Sequence, residues 1–122
     1  MPTPGGDELF SAPAVWRHGA RTTVFIATQS GTAAYAQRGG RLKALWSNKT
    51  AGTSPLVAGG VLYVYDPGGA LNAYRASGGG KLASLPAGAG HWNSPVPGGG
   101  VLALPEGNAN DHRRDGVLSL YS

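Results

Sequence analysis

Residues 61–85 decide the fold: Val61-Leu62-Tyr63-Val64-Tyr65-Asp66-Pro67-Gly68-Gly69-Ala70-Leu71-Asn72-Ala73-Tyr74-Arg75-Ala76-Ser77-Gly78-Gly79-Gly80-Lys81-Leu82-Ala83-Ser84-Leu85. Three short apolar runs are separated by clusters of Gly, Pro, Asp and Ser, the residues that turn a chain. The first run, Val61–Tyr65, has no polar alternation, so it is expected to be buried on both faces of a sheet. None of the runs reaches the length of a stable amphipathic helix before a Gly or Pro interrupts it.

Working outward, the same landmarks recur on both sides. Pro13, Pro55 and Pro95 each follow a serine by one or two residues and lie 42 and 40 residues apart. Val24–Ala27, Val61–Tyr65 and Val101–Leu104 follow them in equivalent places, and Tyr35 and Tyr74 are 39 apart. The third equivalent, Tyr121, comes 47 residues after Tyr74, so the third copy carries an insertion. Leu42–Trp46 and Leu82–Leu85 supply a fourth segment to the first two copies. A period near 40 with four short strands per repeat is the pattern of propeller blades. The expected class is all-β, with blades of four-stranded antiparallel sheets in an incomplete ring. The expected copies are 10–52, 53–93 and 94–122, after a flexible segment 1–9.

Composition supports an ordered β domain. The chain has 122 residues, 41% hydrophobic and 13% charged, with 21 Gly and 9 Pro. One ordinary domain is the most this length allows. The low charge speaks against a solvated disordered tail, and no apolar stretch approaches the roughly 20 residues of a membrane helix. Residues 1–15 lack the basic start and apolar centre of an export signal. There is no cysteine, hence no disulfide framework and no thiolate metal site. Net charge is +4. The ten cations, Arg17, Arg21, Arg38, Arg41, Lys43, Lys49, Arg75, Lys81, Arg113 and Arg114, are spread along the chain. They read as solubilising turn residues and not as a nucleic-acid face.

Tyr63-Val64, Gly69-x-Leu71-x-Ala73-Tyr74 and Ser77-Gly78-Gly79-Gly80-Lys81-Leu82 together resemble the quinoprotein-type (PQQ-binding-like) β-propeller repeat. Copy one ends in Trp46, as that repeat does, whereas copy two has Leu85-Pro86 there. The resemblance covers about residues 10–122. It implies a propeller that often works outside the cytoplasm, periplasmic or secreted. It also implies either a quinone-dependent dehydrogenase holding PQQ and calcium on the central axis, or a non-enzymatic docking propeller. No residue here can be matched to the dehydrogenases' catalytic Asp, so no catalytic residue is assigned and no cofactor is expected outside the dehydrogenase reading.

The third copy holds the candidate contact residues: His91, Trp92 and Asn93 at its entrance, and the inserted loop with Glu106, Asn108, Asn110, Asp111 and His112. Their oxygens are of the kind calcium prefers, and the two histidines suit a transition metal. The spacing matches no EF-hand loop, and Asn, Asp and Gly are also ordinary residues of a long hairpin. A turn, a partner-binding loop and a metal site therefore stay open, with no metal assigned. Trp46 and Trp92 are expected to pack between blades, the alternative being an exposed aromatic platform. Trp16 is expected in the first-strand core and His18 in a solvated turn. Ser11, Ser54 and Ser94 stand in no Gly-x-Ser-x-Gly elbow, and there is no Walker loop or His-Glu-x-x-His.

The sequence thus reads as a non-catalytic scaffold segment of a larger propeller, presenting loops to a protein or other ligand. Its expected partners are another protein or the remaining blades. A fragment of a PQQ-dependent dehydrogenase and a short self-assembling protomer, a homo-oligomer, are the alternatives.

Overall fold

A computed structural model describes residues 2–108, 110 and 116–122. After a short 3-10 turn at Pro4–Gly6 come eleven strands: β1 Ala14–His18, β2 Arg21–Thr28, β3 Gly31–Arg38, β4 Arg41–Asn48, β5 Leu56–Ala58, β6 Val61–Asp66, β7 Ala70–Arg75, β8 Lys81–Pro86, β9 Val96–Gly98, β10 Val101–Glu106 and β11 Val117–Tyr121. They form two four-stranded sheets, β1-β2-β3-β4 and β5-β6-β7-β8, and one three-stranded sheet, β9-β10-β11. Every strand pair is antiparallel, and each sheet falls within one sequence copy. The all-β architecture of blade-like antiparallel sheets in an open array follows the expectation. Among the described residues no helix is long and apolar enough to cross a membrane.

Glycine pairs explain three of the tight hairpins. Gly39-Gly40, Gly59-Gly60 and Gly99-Gly100 all have positive φ, between 54° and 80°. Two-residue hairpins of the primed type need positive φ at both central positions, which only glycine adopts freely. The first two sheets also share an irregularity. The pairing of the third strand with the fourth slips between Ala34 and Tyr35 in one, and between Ala73 and Tyr74 in the other. The period of the sequence is therefore a period of detailed register.

The sheets pack face to face, and strand alternation sorts side chains between the interfaces. Phe25, Ala27 and Ala34 of sheet one meet Leu62, Val64, Tyr74 and Ala76 of sheet two. On its other face sheet two sends Tyr65 and Leu71 against Leu104 of sheet three. Val61–Tyr65 is thus covered on both sides, with Leu62, Val64 and Tyr65 fully buried. Trp46 bridges the first interface, as expected of an inter-sheet residue. Its ring lies 6.0 Å from Phe25 and 6.4 Å from Tyr74, and its Nε1–H donates to the Ala76 carbonyl at 3.2 Å. Trp16 packs on the same cluster from β1 and stacks on the exposed His18 at 5.0 Å.

The two outer faces of the array differ. The outer face of sheet one carries Ile26, Ala33 and Tyr35, all buried. The N-terminal segment lies against this sheet: the Tyr35 hydroxyl donates to the Pro2 carbonyl at 3.4 Å and Thr28 Oγ1 to the Pro4 carbonyl at 3.3 Å. The outer face of sheet three is set by the pairing of Ala103 with Val96 and Leu120, and of Pro105 with Leu118. It is apolar and open: Val96, Leu118 and Leu120 are 58%, 63% and 67% exposed.

Candidate functional site

In a meander, the links from first to second strand and from third to fourth emerge at one end of the sheet. The links from second to third strand, and from sheet to sheet, emerge at the other. The residues of this second end build a cleft of about 490 Å3 between sheets one and two. Its floor is Ala27 and Thr28 of β2 and the linker Ala51–Ser54. Its walls are Glu8, Phe10 and Ser11 on one side, and Asp66, Pro67, Gly68, His91 and Trp92 on the other.

The linker is fixed by backbone hydrogen bonds to both sheets. The Gly52 N–H donates to the Thr28 carbonyl at 2.9 Å and the Thr53 N–H to the Tyr65 carbonyl at 2.9 Å. Gly52 is required there, because a Cβ would collide with the Val64 side chain and meet Ala27 Cβ at 3.1 Å. The first two repeat serines fix these links, one within copy one and one between copies one and two. Ser11 Oγ donates to the Ala27 carbonyl at 2.6 Å, and Ser54 Oγ accepts from the Ala12 N–H at 2.9 Å. Thr53, buried in the floor, donates its hydroxyl to the Asn93 carbonyl and so positions the segment that carries His91 and Trp92.

Across this floor the aromatic side chains converge. Phe10 and Trp92 meet edge to face at 5.6 Å, and His91 packs edge to face on Trp92 at 4.5 Å. Such pairs are favourable geometries for aromatic rings. Trp92 is 58% and Phe10 69% exposed, so the pair presents ring surface to solvent. The expectation that Trp92 packs between sheets is replaced by the exposed-platform alternative. Unlike Trp46, it stands on the linker after sheet two, where no strand face covers it. Among the described lining residues the charged groups are Glu8 and Asp66, with no lysine or arginine. Asp66 Oδ1 accepts from the Gly68 N–H at 2.9 Å, which fixes the turn at this rim.

The other residues singled out by sequence separate from this cleft. Asn93 is structural: its Oδ1 accepts from the His91 N–H at 3.0 Å, and its Nδ2 donates to the Pro105 carbonyl at 2.6 Å, tying the linker to β10. Glu106 belongs to a tyrosine cluster between sheets two and three. Tyr65 donates its hydroxyl to the Gly88 carbonyl at 2.7 Å, and Tyr121 donates to the Pro86 carbonyl at 3.0 Å and lies 3.5 Å from Glu106 Oε1. Burial, then the nearby carboxylates Glu106 and Asp66, push the Tyr65 phenol up to about 12, and burial with Glu106 also raises Tyr121. Asn108 Oδ1 accepts from the Asn110 N–H at 3.0 Å, the side-chain turn expected of a long hairpin. Asp111 and His112 lie outside the described residues. Among the described residues no three His, Asp or Glu side chains come together as a metal site would need.

Phe10, Glu8, Asp66 and Thr53 were not singled out from sequence. A signal was present for Phe10: an aromatic residue stands just before the serine of the proline landmark in copy one, as Trp92 does in copy three. A scan against protein-family models finds no match, and no curated protein matches the chain.

Proposed function

We propose that the chain is a non-catalytic scaffold segment of propeller type that binds a protein partner through the Phe10–Trp92 cleft. The observation that carries this reading is the exposed aromatic pair on a floor held by backbone hydrogen bonds, rimmed by Glu8 and Asp66 with no cation among the described lining residues. Rigid loops on a sheet scaffold are where binding residues concentrate. An aromatic face beside carboxylates favours a cationic side chain, through cation–π attraction and ion pairing. The partner is therefore a protein presenting an arginine or lysine. Among the described residues no nucleophile–base pair is assembled in the cleft, and the Ser11, Thr53 and Ser54 hydroxyls are engaged with backbone groups.

Titrating the 15N-labelled chain with N-acetyl-arginine amide tests this. The Trp92 indole N–H and the Gly68 amide should shift, and the Phe10→Ala variant should lose the response. A spectrum unchanged at those signals contradicts the reading.

We further propose that the array continues into more blades. Support comes from the outer face of sheet three, where Val96, Leu118 and Leu120 stand uncovered while the equivalent outward face of sheet two is buried under Leu104. Exposed apolar faces of this kind mark interaction surfaces. Light scattering tests whether copies of the chain supply the cover. A mass that rises with concentration means that copies of the chain supply it, and a folded monomer at every concentration means that this face has no need of cover.

A further inference from the structure

The opposite end of the sheets carries a second site. Its turns join β1 to β2, β3 to β4, β5 to β6, β7 to β8 and β9 to β10. Arg17, Arg21, Arg38, Arg41, Lys43, Arg75 and Lys81 all stand on the strand segments next to these turns. The four described carboxylates, Asp7, Glu8, Asp66 and Glu106, are all at the other end, on the segments that reach Ser30, Gly68, Gly88 and Tyr121. The meander therefore sorts by charge a set of residues that look scattered along the chain.

The sorting is sharpest on sheet one. His18 pairs directly with Arg21, and Arg38 with Arg41. Thr22 pairs with Gln37, so the next step of the same register sets Arg21 opposite Arg38. Four cationic or imidazole side chains thus form one row across four strands, spanning roughly 14 Å at the usual strand spacing. Like charges directly opposite on a sheet destabilise it. Among the described residues this row has no carboxylate partner.

The row opens on a cleft of about 640 Å3 between sheets one and two. Trp16, His18, Arg21, Thr23, Arg38 and Ser77 are among its lining residues. It therefore has two guanidinium groups, hydroxyl donors, and the stacked Trp16–His18 pair as an apolar wall. Its volume falls within the range of small-ligand pockets. Guanidinium forks match phosphate oxygens in paired hydrogen bonds. Arg75, Lys81, Arg41 and Lys43 outside the cleft add a positive field that draws an anion towards it. We infer that this cleft binds a small phosphorylated ligand with at least two negative charges, its phosphates held between Arg21 and Arg38. The inference is independent of the Phe10–Trp92 cleft at the other end.

Isothermal titration with pyrophosphate, ADP and a single-stranded oligonucleotide, each at low and at physiological salt, tests it. The expected result is one saturable site for pyrophosphate and ADP. The Arg21→Gln/Arg38→Gln double variant should weaken it by about tenfold or more, equivalent to about 1.4 kcal/mol, and Lys49→Gln, at the other end of the sheets, should leave it nearly unchanged. Tighter binding of ADP than of pyrophosphate identifies a nucleotide as the source of the phosphates, and equal or weaker binding identifies the phosphates alone. Circular dichroism checks that the variants fold. If the double variant does not fold, shifts of the Arg21 and Arg38 Nε–H signals on adding pyrophosphate to the unaltered chain replace it. The inference is overturned by an absence of binding, by equal losses in Lys49→Gln and the double variant, or by binding of the oligonucleotide alone.

Discussion

The two ends of the sheets are built by different means. At the end holding Phe10 and Trp92, long links cross from sheet to sheet, and side chains such as Ser11, Thr53, Ser54 and Asn93 are consumed in fixing them. At the other end the links are short hairpins, three of them turning on paired glycines. Side chains beside those hairpins are free to carry charge, and seven of the described cations stand there. The difference teaches that in a meander the parity of a connection decides which end a residue serves. Two arginines adjacent in space, Arg21 and Arg38, are separated in sequence by a full hairpin.

Both clefts share one support, the interface between sheets one and two, so the largest effects should come from breaking it. Leu62 is fully buried there, and Leu62→Ala should cost about 2–5 kcal/mol in denaturant unfolding. Hydrogen exchange on that variant should show β2 and β6 loosening along their whole length. Loosening confined to one end would mean that the two clefts are supported separately.

Gly52→Ala acts at one end only. The new methyl would have to displace Val64 and Ala27, an overpacking cost of about 1–3 kcal/mol. The Trp92 indole signal should move while the Arg21 and Arg38 signals stay, by NMR of the two side-chain sets.

Tyr65→Phe removes the donor to the Gly88 carbonyl and should cost about 1 kcal/mol at neutral pH. The phenol is neutral in the fold and its pKa is raised from 10 to about 12. Its contribution is therefore fully present below pH 10 and lost as pH rises through 12, since the unfolded chain releases that proton first. In unfolding curves between pH 10 and 12 the unaltered chain should lose stability faster than Tyr65→Phe, and the gap between them should narrow.

The smallest effect carries the opposite sign. Arg41→Gln relieves the repulsion with Arg38 and should raise stability by a few tenths of a kcal/mol at low salt, fading as salt screens the pair. Thermal unfolding at two ionic strengths checks this, and a loss of stability on that substitution would mean the row is not repulsive.

Much of the fold was legible because repetition over-determines it. Four landmarks near one period located the strands and their Gly-Gly and Asp-Pro-Gly-Gly turns, and Val61–Tyr65 read correctly as covered on both faces. The site was legible only in part. His91 and Trp92 were visible as unusual residues beside a proline landmark, but Glu8, Phe10 and Asp66 reach the same cleft from other copies, and a linear reading does not bring them together. Asn93 and Asn108 look like ligands and act as local hydrogen-bonding groups, since a short amide satisfies a turn as readily as it holds a ligand. Seven of the cations look dispersed in sequence because strand parity, unlike sequence distance, assigns them to one end.

The most direct test of this two-ended account is one NMR experiment on the 15N-labelled chain with two probes of opposite charge. N-acetyl-arginine amide should shift the Trp92 indole N–H and Gly68, and pyrophosphate should shift the Arg21 and Arg38 side-chain N–H groups, with no signal common to both. Both probes moving the same residues, or neither moving any, would contradict it.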